Sequence, residues 1–154
     1  EFYAGIHRSV EFTEKAGFQM LRGEARVVPG LINIAGVDDP TRNRFSSARS
    51  VSEKEVLSSL SREGFTLLLK HRPLVAEDAL GLFDLQLSGH AHKGQIFPAT
   101  LLVEAIYPTA AGFLRLEKGS CLYVSRGAGT WGPPIRFLAS PEVTVIELVY
   151  EGTS

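Results

Sequence analysis

Cysteine is nearly absent from this sequence: Cys121 stands alone among 154 residues, so no disulfide can form within the chain. It lies in an apolar run, where a thiol packs as a small hydrophobe more often than it acts as a nucleophile. No apolar run reaches the roughly 20 residues that a membrane-spanning helix needs, and no signal-peptide pattern is visible. An excess of either charge is lacking too. Lys and Arg total 16 against 17 Asp and Glu, a formal net charge of −1, which gives no electrostatic footprint for nucleic acid or an anionic membrane. Repeats, low-complexity segments and linkers are absent. So is a starting methionine: the chain opens Glu1-Phe2-Tyr3-Ala4-Gly5, and the expectation is a fragment or a processed chain. The length suffices for one domain with a real core.

What is present reads as alternating strands and helices. Ile6 to Ala16 carries Ile6, Val10 and Phe12 among charges and ends before Gly17, which predicts a surface helix. Phe18-Gln19-Met20-Leu21 reads as a short strand. Ala25 to Val28, Pro29-Gly30 and Leu31 to Val37 predict a hairpin whose second arm, almost continuously apolar, is expected to be buried on both faces. Asp38-Asp39 follows it; paired carboxylates can bind a metal or exchange protons, but before Pro40 an Asx-type turn is favoured. Ser52-Glu53-Lys54-Glu55 is a capping box, with Val56, Leu57 and Leu60 as the buried stripe and Gly64 as the stop. Phe65 to Leu69 predicts a central strand that exits at His71, with Pro73 behind it. Val75 to Leu80 fits one short helix, and Leu82 to Leu87 alternates as a half-buried strand does. Beyond it, Leu101 to Ile106 is apolar but short. Gly112 to Glu117 and Ser120 to Ser125 alternate around Lys118-Gly119 as a second hairpin, and Val143 to Val149 reads as the last strand. Strand, helix, strand in succession argues for an α/β sheet with its site at one edge. Gly127-Ala128-Gly129 has no predicted helix behind it, only Trp131-Gly132-Pro133-Pro134, which argues against a phosphate-cradling loop.

The sharpest feature is Ser88-Gly89-His90-Ala91-His92-Lys93-Gly94-Gln95, entered directly from the Leu82 to Leu87 strand. In an extended backbone, residues two apart point the same way, so His90 and His92 are expected to face one point or two adjacent points beyond the sheet. Ligands of open α/β sheets sit at the carboxyl ends of the strands, and neutral imidazole is the commonest metal ligand near neutral pH. Without further support such a pair is more often solvated or hydrogen-bonded in a loop than metal-bound.

That octapeptide resembles the Gly-His-x-His box of the calcineurin-like metallophosphoesterases. The segment from Leu122 to Arg136, with Ser125-Arg126-Gly127-Ala128-Gly129-Thr130-Trp131-Gly132-Pro133-Pro134, is similar to one bacterial branch of that family. The resemblance covers nearly the whole chain, from Glu1 to about Val149. It implies an α/β fold, the C-terminal half of a four-layer α-β-β-α sandwich, with residues 1–154 as one partial domain. It also implies two divalent metal ions (manganese, iron or zinc), His71 and His90 on one and His92 on the other. Together such ions polarise a phosphoryl oxygen and activate water. The implied substrate is a phosphorylated small molecule or a lipid headgroup; no nucleic-acid partner is implied.

The departures from the family pattern shape the remaining expectations. Its Asp-x-His box, its Gly-Asp-x-x-Asp box and the Asn-His of its Gly-Asn-His-Asp/Glu box are not in this chain, with Glu1 resembling the last residue of that final box. The resemblance therefore implies three metal ligands here, no catalytic general acid in this chain, and a missing N-terminal half as its partner. Lys93 stands where many relatives carry Gly; it either approaches the substrate or points to solvent, and solvent is favoured. The compartment stays open, because relatives of this branch often carry an N-terminal membrane segment or export signal. A non-catalytic metal- or partner-binding module is the competing reading.

Overall fold

The computed structural model describes residues 6–39 and 51–149. Among the described residues twelve short elements follow one another, and the strands assemble into one mixed sheet. Helix α1, Ile6–Lys15, ends where Gly17 takes φ +86° and its N–H bonds back to Glu14. Phe12 on this helix is exposed. The strand expected over Phe18 to Leu21 is not there. The chain instead crosses the end of the sheet as a loop, with Leu21 packed so closely over Gly36 that a Cβ there would stand 2.5 Å from the Leu21 Cβ. This is one of the positions where glycine is required by close approach rather than by its backbone angles.

Strands β1, Glu24–Val28, and β2, Ile32–Gly36, form the Pro29-Gly30 hairpin, antiparallel with Val28 opposite Ile32. Helix α2, Glu53–Leu57, starts from the Ser52 capping box: the Ser52 hydroxyl accepts from the Glu55 N–H, and the Glu55 carboxylate accepts from the Ser52 N–H at 2.9 Å. It stops well short of Gly64, buries Val56 and Leu57, and feeds β3, Phe65–Leu69. The helix expected over Val75 to Leu80 is a single 3-10 turn, Glu77–Ala79. Strand β4, Leu85–Ser88, follows. Helix α3, Ala99–Ile106, arises from the short apolar run. Strands β5, Gly112–Arg115, and β6, Cys121–Val124, form the second hairpin, with Lys118 at φ 54° in the turn. Cys121 is half-buried on β6.

The order across the sheet is β1-β2-β3-β4-β6-β5. The inner strands β2, β3, β4 and β6 run parallel, and β1 and β5 close the edges antiparallel. Parallel neighbours end at the same edge, so the loops after Gly36, Leu69, Ser88 and Val124 gather there. One face of the sheet is packed: Ala35, Leu68, Phe83, Val56, Leu57 and Ala79 make the main apolar cluster, and Leu122, Val124 and Ala91 a second.

Two expectations about burial are corrected. Strand β2 is not buried on both faces, since Asn33 and Ala35 are buried while Ile32 and Ile34 are half-exposed. Strand β4 does not alternate in burial: Leu85, Gln86 and Ser88 are all buried, Gln86 in register with Leu68 and Leu122 at 1% exposure, while Leu87 is half-exposed. Burying an amide is tolerable only when it is bonded. Gln86 Nε2 donates to Ser88 Oγ at 2.9 Å and to the Leu74 carbonyl at 3.4 Å. The strand expected over Val143 to Val149 is not formed: these residues lie outside the strands and helices, with Val143 and Val145 exposed.

Candidate metal centre

The polar side of β4 holds the loop that carries His71. Ser88 Oγ donates to the Arg72 carbonyl at 3.4 Å, Gln86 reaches Leu74, and the Gly89 N–H donates to the His71 carbonyl at 3.0 Å. Lys70, 7% exposed, donates to the Leu74 carbonyl at 2.6 Å and pairs with Glu53. The stretch from Lys70 to Leu74, just after β3, is thus tied to β4 and α2. The two strand ends that carry His71 and His90 cannot drift apart without breaking these bonds.

The rings meet as a result. His71 Nε2 and His90 Nδ1 are 3.0 Å apart, with the rings edge-on at 4.8 Å between centroids. Tyr107, just past α3, stands edge-on to His90 on another side at 6.1 Å. Burial, then the neighbouring His71 and Arg72, push the His90 pKa below the ordinary 6.5, with Asp39 opposing them. Asp39 is buried in the loop after β2 and accepts from Arg72 Nε at 3.0 Å. Asp38 accepts a two-pronged contact from Arg22, at 3.2 and 3.1 Å. The carboxylate pair singled out in the sequence is therefore held by two arginines, one on each carboxylate.

His92 occupies the same loop as His90 but faces a different group. The extended backbone expected there is absent: His90, His92, Lys93 and Gln95 all have positive φ, at 63°, 46°, 51° and 53°. Left-handed residues break the two-residue alternation on which a shared direction depends. His92 Nδ1 lies 3.2 Å from Arg136 Nη2, and a guanidinium only donates, so Nδ1 accepts. Burial and Arg136 push its pKa down, while a bond to the Arg126 backbone works the other way. Among the described residues no group of three or more His, Cys, Asp or Glu side chains is arranged to hold one ion.

Two site residues escaped the sequence reading as functional elements. Gln95 is buried, and its amide clamps the tail segment: Oε1 accepts from the Trp131 N–H at 2.6 Å, and Nε2 donates to the Trp131 and Pro133 carbonyls at 2.7 and 3.2 Å. Arg136 gathers the rest of that segment. The available signal was chemical: a glycine- and proline-rich stretch exposes many carbonyls, and an arginine at its far end, Arg136, is a donor able to collect them.

The chain is 38% identical to an uncharacterized metallophosphoesterase of Aquifex aeolicus over 153 residues, 99% of this chain and 59% of that protein. It belongs to the metallophosphoesterase family. A Helicobacter pylori metallophosphoesterase, also uncharacterized, is 36% identical over 152 residues, 97% of this chain and 40% of that relative. A Danio rerio transmembrane protein with a metallophosphoesterase domain is 35% identical over 121 residues, 76% of this chain and 28% of its own length. The chain thus spans between 28% and 59% of the length of these relatives. No family model matches it, and no solved structure does.

Proposed function

We propose that the protein carrying this chain is a metal-dependent phosphoesterase. In this reading it hydrolyses phosphate esters at a centre of two divalent ions, manganese, iron or zinc, with His71 and His90 serving one ion and His92 the other. The observation that carries the reading is the 3.0 Å between His71 Nε2 and His90 Nδ1. Two nitrogens bound at a right angle to one ion, with bonds of about 2.1 Å, stand about 3 Å apart, so the donor pair fits a divalent ion. The depressed His90 and His92 pKa values keep both rings neutral at physiological pH, as ligation requires. The ions, when bound, polarise phosphoryl oxygen and activate water. The chain itself orients imidazoles and surrounds them with Arg72 and Arg136, whose charge suits a phosphate.

The four-layer sandwich belongs to the same proposal. Ile32, Ile34, Leu67 and Leu87 leave an apolar sheet face half-exposed, a surface that a second sheet covers in such a sandwich. The boxes absent from residues 1–154 would then come from elsewhere in the protein, and the chain alone is a poor catalyst. Its substrate is a phosphorylated small molecule or a lipid headgroup. No described helix is long and apolar enough to cross a membrane.

The test is His90→Ala in the protein, with melting as a control for folding and manganese-supported hydrolysis of an aryl phosphate as the readout. Loss of turnover with an unchanged melt supports the reading. Wild-type turnover rejects His90 as a ligand. Manganese binding that needs all three histidines, in a protein inert toward aryl phosphates, nucleotides and phospholipid headgroups, favours the non-catalytic module.

A further inference from the structure

Arg136 makes contacts far beyond what its place at the end of a loop requires. Nε donates to the Gly129 carbonyl at 3.1 Å and Nη1 to the Ala139 carbonyl at 3.0 Å. The N–H groups of Nη2 are shared among the carbonyls of Arg126, at 2.9 Å, Gly127, at 3.0 Å, and Gly129, and His92 Nδ1 at 3.2 Å. One guanidinium therefore closes residues 126–139 into a strap and rests that strap on His92. Gly127, at φ +70°, runs beside the ring, where an added Cβ would make ordinary van der Waals contact at 3.7 Å from Cε1 and Nδ1.

We propose that Arg136 is the positioning residue of His92, fixing the ring directly at Nδ1 and, through the Arg126 carbonyl, by way of the strap. This role rests on the reading of His92 as a metal ligand and falls to a residue outside the histidine boxes. A neutral imidazole has two tautomers, and each needs a partner. With the proton on Nε2, Nδ1 accepts from Arg136. With the proton on Nδ1, Nε2 is left bare for a ligand, and the ring bonds to the Arg126 backbone, whose carbonyl the same guanidinium holds in place. Arg136 thus supports the ring in either state and prevents it from turning away. Lysine, a point charge without the planar fork, reaches only part of this set.

Arg136→Lys and Arg136→Ala test this in the protein, with far-ultraviolet circular dichroism and melting to establish folding. Long-range proton–nitrogen spectra of the histidine side chains come first, in chelator. The expected result is that the His92 nitrogens shift in both variants, more in the Ala protein, while those of His71 and His90 stay in place. Manganese titration comes second. Loss of a group that orients a ligand typically weakens metal binding by ten- to a hundredfold, and Arg136→Ala should fall in that range with Arg136→Lys between it and wild type. If Arg136→Ala does not fold, Arg136→Lys decides. Unmoved His92 nitrogens in a folded variant overturn the proposal. Wild-type protein that takes up no manganese, with His92 nitrogens that still shift in the variants, overturns the metal reading and leaves Arg136 as the group that orients His92.

Discussion

Replacing Asp39 by Asn tests how the site edge of the sheet is held together. Asp39 is 5% exposed, and its carboxylate accepts from Arg72 Nε at 3.0 Å across the ends of β2 and β3. Opposite unit charges at that separation attract by ~5 kcal/mol at an effective dielectric constant near 20, before desolvation is counted. Removing one partner from a fully buried pair costs about 3–5 kcal/mol, because the other charge is left without its counter-ion. The Arg72 side chain is 28% exposed, so water takes over part of that charge and the expected loss falls to about 2–3 kcal/mol. Urea unfolding with an unchanged slope measures it. Arg72→Met in the Asp39→Asn background should recover part of the loss, since no bare charge then remains. The same substitution carries a second signature. Asp39 is the group that opposes the downward shift of His90. Its removal should move the His90 titration to still lower pH, followed by the ring carbon-bound protons. A loss below about 0.5 kcal/mol, the level of an ordinary surface substitution, together with an unmoved His90 titration, would refute the idea that this pair organises the edge.

Further outcomes are expected elsewhere. Leu68→Ala, at a fully buried position of the central strand β3, should cost about 2–5 kcal/mol in urea unfolding. Gly94→Ala forces a side chain onto φ +74° and sets its Cβ 2.4 Å from the Thr100 backbone nitrogen, so it should lower the melting temperature by the equivalent of about 1–3 kcal/mol and loosen the start of α3. The metal-free protein should lose stability as the pH falls. His90 and His92 have pKa values below 6.5 in the folded chain, so the unfolded chain binds protons first; their contribution is fully present above the ordinary histidine range and is lost as pH falls below 6.5 toward the lowered values. Unfolding midpoints in chelator at about pH 8 and about pH 5 measure this, and His90→Gln with His92→Gln should flatten the dependence.

The candidate ligands were legible because their chemistry is local. A strand running into Gly89-His90-Ala91-His92, and a leucine run ending at His71, mark strand exits whatever the fold around them. The hairpins, the Ser52 capping box and the central strand were legible for the same reason: turn residues, cap residues and apolar runs act on their immediate neighbours. What was not legible depends on partners distant in the chain. The Leu82 to Leu87 alternation reads as a half-buried strand, but register with β3 and β6 buries Gln86 beside Leu85, and its amide ties down the His71 loop.

The sequence by itself determined the strand-rich α/β character, the places where the chain turns, and which imidazoles emerge at strand ends, since each follows from residues within a few positions of one another. Tertiary structure alone decided which of those imidazoles meet. His71 and His90 lie 3.0 Å apart because β3 and β4 are parallel neighbours whose loops are cross-bonded. His92, two residues from His90, turns instead to Arg136, 44 positions away. The left-handed backbone of that loop and the carbonyl-gathering guanidinium set its direction. Pairing across a sheet and the reach of one long side chain are long-range contacts, and local pattern carries no record of them.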